Sequence, residues 1–201
     1  MLRAKELGRG AARSWSTLAI AATAGLAFAW PTMAGGLIYD RVDVIAGQLW
    51  RLWTGHLVHF TGNHLLWDLA VFVPAGVWLE SITPPGARWF YLLATPVISL
   101  LLFFLEPGLN RYAGLSGIAT GLLVLLALVQ LRRDANEPRW FWLGVLLLVA
   151  AKIVLELVTR APLVVQFDAG VRTVPLAHLG GVACALAAFP IWRRAAGPRA
   201  A

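Results

Sequence analysis

A chain of 201 residues that is 59% hydrophobic and only 13% charged, with a mean hydropathy of +0.72, lacks the polar surface of a soluble domain. Its formal charge of +7 gathers at the chain ends and between apolar runs, a positive-inside pattern that argues against a nucleic-acid-binding face. The single cysteine, Cys184, excludes an intramolecular disulfide and a thiolate metal cluster.

The first fourteen residues form a basic N-terminus holding Arg3, Lys5, Arg9 and Arg13. Apolar residues then run from Trp15 to Trp30, and Ala27-Phe28-Ala29 imitates a signal-peptide cleavage site. Apolar character resumes beyond Pro31, so a retained first spanning helix is expected. A more polar connection, Asp40 to Gly55, contains Trp50-Arg51. His56-Leu-Val-His-Phe-Thr-Gly-Asn-His-Leu-Leu-Trp-Asp68 then leads into a second apolar run, Leu69 to Leu79. The third run is Trp89 to Leu105, with Pro96 inside it. The fourth starts near Gly114 and ends at Leu131, the fifth is Arg139 to Val158, and the sixth Val174 to Trp192. Runs of roughly 17 to 24 residues suit bilayer-spanning helices, in which every backbone polar group is satisfied internally. The expectation is an all-α bundle of six transmembrane helices, residues 15–193, between the basic N-terminus and a short tail, 194–201.

With the N-terminus in the cytoplasm, eleven Lys and Arg fall inside. Five fall outside (Arg41, Arg51, Arg111, Arg160, Arg172), and Lys152 lies within a helix. That asymmetry places both termini in the cytoplasm. It also puts Ser116 and His178 near the outer ends of helices four and six, at a shared depth.

Ionisable residues inside spanning helices are costly and mark sites. His64 and Asp68 are four apart and share a helix face. Lys152 and Glu156, also four apart, are read as neutralising each other. Ser116 sits between Gly114 and Gly117, and Gly117 and Gly121 form a small-residue stripe that a neighbouring helix can approach. A serine so placed is often only a packing site, but it becomes a nucleophile when a base takes its proton. His178 is the one histidine outside the 56–64 cluster and so the natural base. His64 and the backbone N–H of Ser116 could then hold an oxyanion. His-x-x-His with a further His and Asp is also plausible ligand chemistry. No second carboxylate-rich segment completes such a site, and neither metal nor cofactor is expected.

Four motifs taken together resemble the rhomboid family of intramembrane serine proteases. They are Trp50-Arg51, His59 with His64, Gly114-Leu-Ser-Gly117, and Ala177-His-Leu-Gly-Gly181, in the family's order. The resemblance implies a six-helix core with a Ser116–His178 dyad opening to the outer face, and His64 as an oxyanion donor. It further implies that His59 supports the site, that Trp50-Arg51 stabilises the first loop, and that Gly117 and Gly121 pack on Gly181. The Gly-His-Leu-Val-His and His-Leu-Leu-Trp-Asp wording is most similar to the rhombosortase branch. That branch implies a bacterial inner-membrane enzyme acting on transmembrane substrates with a C-terminal glycine-glycine, apolar-helix, basic tag. One position departs from the family: Asp68 stands where an Asn is common. It either carries a proton and donates as Asn would, the preferred reading, or stays ionised and orients His64.

Overall fold

The computed structural model describes residues 14–133, 137–159 and 173–195. The basic residues 1–13, the tail beyond 195, and the connections holding Arg160, Asp168 and Arg172 lie outside the described residues. The elements in chain order are α1 (Trp15–Ala29), α2 (Pro31–Leu37), β1 (Tyr39–Asp40), α3 (Arg41–Ile45) and α4 (Arg51–Thr54), followed by a 3-10 turn at Gly55–Leu57. Then come α5 (Gly62–Ile82), α6 (Pro84–Leu105), β2 (Arg111–Tyr112), α7 (Ser116–Arg132), α8 (Arg139–Thr159) and α9 (Pro175–Ala195).

Helices α5, α6, α8 and the Pro175–Trp192 part of α9 are each long and apolar enough to cross a bilayer. The protein is therefore a multi-pass, mostly helical membrane protein. Two of the six expected spans take other forms. The first run is a pair of helices, α1 and α2, bent by 117°. The cause is local: Pro31 excludes α-helical geometry from the residue before it, and Trp30 sits at φ −124, ψ 83. The fourth, α7, is only 17 residues, about 25 Å long at 1.5 Å per residue.

Helix α7 is the axis of the bundle. Gly117, Ile118, Ala119, Gly121, Leu122 and the residues down to Gln130 are buried on nearly every side. Its closest neighbour is α9. A Cβ on Gly181 would lie 1.9 Å from the Gly117 carbonyl oxygen, and one on Gly121 2.6 Å from that of Gly181. The two backbones meet directly, with only hydrogen atoms to spare, which is the use of small residues in membrane helices. Outward-facing Leu66, Trp67, Trp89, Leu93, Phe104, Leu147, Leu148 and Ile191 are exposed, an apolar surface suited to lipid.

Helix α5 begins at Gly62, after His56 and His59 and ahead of His64 and Asp68, because the Thr61 side chain accepts from the His64 N–H (3.1 Å) and caps it. One further boundary differs from expectation. Helix α6 begins at Pro84, whose fixed φ suits a first turn. An all-α fold is also corrected in one detail. Strands β1 and β2 pair antiparallel, Tyr39 opposite Tyr112 and Asp40 opposite Arg111. This short ladder ties the first connection to the segment just ahead of Ser116.

Candidate active site

The Thr61 cap sets the start of α5, so His64 and Asp68 lie in its first two turns and both are buried. Asp68 Oδ2 is 3.0 Å from His59 Nε2 and 3.3 Å from His64 Nε2. One carboxylate oxygen is thus shared by two imidazoles, whose rings meet edge to face at 4.9 Å. Each of these contacts is a hydrogen bond only if one proton lies between the ring nitrogen and the carboxyl oxygen. The Asp68 carboxyl is placed to orient both histidines.

The loop leading to α7 is built against this cluster. Gly114 has φ +119, a conformation that L side chains rarely adopt. A Cβ there would also lie 2.6 Å from His64 Nε2 and 3.1 Å from Asp68 Oδ2. Glycine is therefore required twice over. The Leu115 N–H donates to His59 Nε2 at 3.4 Å. Tyr112 OH donates to the Gly114 carbonyl (3.2 Å). Burial holds that phenol protonated by raising its pKa. Tyr112 received no role from the sequence alone.

Ser116 is the first residue of α7, half-buried, with its carbonyl accepting from Thr120 Oγ1 at 2.8 Å. Beside it, a Cβ on Gly117 would meet the Ala177 carbonyl oxygen at 2.8 Å. The residues adjoining Ser116 and His178 are therefore in backbone contact. Among the described residues there is no direct Ser116–His178 hydrogen bond. His178, buried at 4% exposure, is instead bonded through Nδ1 to Glu156 Oε2 at 2.8 Å. Lys152 Nζ binds the other oxygen of Glu156 at 2.7 Å and lies 3.3 Å from the same Nδ1. Lys152 and Glu156 do form the expected pair, but the contact with His178 was missed. The signal for it was depth: Glu156 lies three residues before the end of α8, and His178 three residues into α9.

Arg51 and Trp50 lie in the first connection. Arg51 Nη1 donates to the carbonyls of Gly35 (3.1 Å) and Ile38 (2.6 Å), Nε to Gln48 (2.8 Å), and Nη2 pairs with Asp43 at 2.9 Å. Trp50 Nε1 donates to the Gly36 carbonyl at 3.3 Å. His56 Nε2 is shared by the Thr95 carbonyl and Ser99 Oγ, each at 3.0 Å, and the Ser99 hydroxyl donates to the Leu52 carbonyl. Burial pushes the His56 pKa down to about 4, so the ring is neutral at physiological pH. His59, His64 and Asp68 also offer donor atoms within 4.8 Å of one another, a geometry open to a metal ion. In the structure as it stands, hydrogen bonds join those same atoms.

The starts of α5, α7 and α9 and the end of α8 thus gather histidines, carboxylates and one hydroxyl in an otherwise apolar bundle. Such a fold and site define a helical membrane protein with acid–base groups buried at one end. Residues 46–194 match the Rhomboid domain family, and the chain belongs to it. Rhomboids are generally intramembrane serine proteases. No curated protein matches the sequence.

Proposed function

We propose that this rhomboid is an active intramembrane serine protease using Ser116 and His178. The observation that carries the reading is the backbone contact of α7 with α9 at Gly117–Ala177 and Gly121–Gly181, which fixes the starts of the two helices side by side. Ser116 Oγ attacks the scissile carbonyl while His178 Nε2 takes its proton. The oxyanion of the tetrahedral intermediate is held by the Ser116 N–H, at a helix N-terminus, and by His64. Asp68 keeps His64 oriented, His59 braces Asp68, and Gly114 lets the loop lie against them. His178 then passes its proton to the leaving amine, and water hydrolyses the acyl-enzyme. A catalytic hydrogen bond that forms only with substrate in place is common, so an open Ser116–His178 contact is compatible with this chemistry.

In this reading six helices cross the bacterial inner membrane, both termini are cytoplasmic, and the site opens outward near the membrane surface. Substrates are transmembrane proteins cut within or beside their spanning segment. The branch resemblance extends this to proteins ending in a Gly-Gly, apolar-helix, basic tag.

The test is labelling of purified protein by a serine-directed fluorophosphonate. Wild type should be labelled, and Ser116→Ala and His178→Ala should not. A chelator should leave the rate unchanged. Equal labelling of wild type and Ser116→Ala removes the proposal, and loss of labelling with chelator transfers it to a metal held by His59, His64 and Asp68.

A further inference from the structure

The base of a two-residue dyad would be oriented by packing alone, yet His178 is held by an acid on a different helix. We infer that Glu156 is a positioning residue for His178, making the machinery a Ser116–His178–Glu156 triad, with Lys152 as a counter-charge that tempers the acid. This rests on the Ser116–His178 reading above and adds to it.

The argument begins with proton bookkeeping at Nδ1. A carboxylate can only accept and an ammonium can only donate, and both lie near that nitrogen. At 2.8 Å from Glu156 Oε2, an Nδ1 without a proton would set lone pair against lone pair. An Nδ1–H donating to Oε2 makes that contact a charge-assisted bond, and Lys152 at 3.3 Å is then a near neighbour of Nδ1, not its donor. Neutral imidazole carries one proton. With it on Nδ1, Nε2 holds the lone pair that must take the serine proton. The acid fixes the tautomer that a general base requires, and it stabilises the imidazolium formed when the proton arrives. No proton needs to reach Glu156.

Burial gives the second line of evidence. Glu156 is 2% exposed in a helix whose surroundings are apolar, and a lone carboxylate there is costly. Lys152 satisfies Oε1 only, at 2.7 Å, and its side chain is 37% exposed, so half the charge remains for another partner. His178 supplies it. The remaining surroundings of α9 are not charged: α6 presents Ile98 and Leu101 beside Gly180, and α7 presents the Gly117 and Gly121 backbone. Among the described residues, Glu156 and Lys152 are the charged groups in contact with the ring. Their effects on it oppose each other. The carboxylate favours the imidazolium, and the ammonium opposes it.

The experiment is the pH profile of fluorophosphonate labelling by the full chain in detergent, with thermal unfolding recorded for each variant. Glu156→Gln should slow labelling about 100-fold and move the acid limb to lower pH, while Glu156→Asp recovers part of the rate. Lys152→Met should move the acid limb the other way, to higher pH, with the protein folded. A structural role would change stability without opposite displacements of the limb. Should Glu156→Gln fail to fold, the Lys152→Met displacement still decides. Wild-type rate and profile in both variants, with Ser116→Ala and His178→Ala dead, overturns the triad and leaves the dyad standing. Labelling that survives Ser116→Ala overturns both.

Discussion

Helix α5 carries two buried carboxylates about 18 Å apart along its axis, Asp68 and Glu80, and the chain satisfies them with different chemistry. Asp68 is held by two histidines and lies against the Gly114 backbone. Glu80, with no exposed surface, accepts from Thr17 N–H (3.0 Å), Thr17 Oγ1 (2.7 Å) and the Ser16 hydroxyl, with Arg88 at 3.4 Å. Tyr91 OH completes that set through Thr17 at 2.7 Å. At the Glu80 end the partners are mostly hydroxyls and a backbone amide in the first turn of α1, so the acid serves as a cap supplied from another helix. At the Asp68 end the partners are two imidazoles, which adjoin the loop of a half-buried serine. Both ends solve the same desolvation problem, but only one is built from groups that can move protons.

The contrast is sharpest in paired substitutions. Glu80→Leu should cost about 4 kcal/mol, because it strands several buried donors, and leave the labelling rate per folded molecule unchanged. Asp68→Leu should instead lower labelling about 100-fold or more, with Asp68→Asn in between. Thermal melts and labelling on the same samples separate the two. Equal loss of labelling at both ends would break the comparison.

A second effect, of about 3 kcal/mol, concerns His56 and acid. Its folded pKa of about 4 lies below the ordinary 6.5, so the unfolded chain binds the extra proton first as pH falls. This stability is present above about pH 6.5 and is lost progressively toward pH 4. Melting wild type against His56→Gln across that range should show a smaller acid loss in the variant. Parallel curves would contradict a buried neutral His56.

Gly114→Ala should cost about 2 kcal/mol in backbone strain and also slow labelling, since its Cβ meets His64. Stability loss with full labelling would separate the loop from the site. The smallest effect belongs to the exposed Arg111–Asp40 pair (3.1 Å), where Arg111→Ala should change stability by less than about 1 kcal/mol.

Much of this arrangement could be read from the sequence because bilayer helices are long apolar runs bounded by charge. The Gly117, Gly121 and Gly181 contact followed from small residues at helical spacing together with the family resemblance. Other features escaped for identifiable reasons. The bend at Trp30 was masked by apolar composition on both sides of Pro31. The Tyr39–Tyr112 pairing joins segments too short to show a strand pattern. The Glu156–His178 bond depends on how α8 rotates against α9, whereas the four-residue spacing to Lys152 offered a complete local explanation. The contact of His59 with Asp68 also escaped, because that ring arrives from outside α5.

The central claim, that Ser116 and His178 cut peptide bonds within the membrane, is tested most directly by reconstitution. Wild type, Ser116→Ala and His178→Ala would be placed in liposomes with a transmembrane test substrate, and cleavage followed by gel and mass spectrometry. The account predicts cleavage within or beside the spanning segment by wild type, none by either variant, and no effect of chelator. Cleavage by the Ser116→Ala protein at the wild-type rate would contradict it.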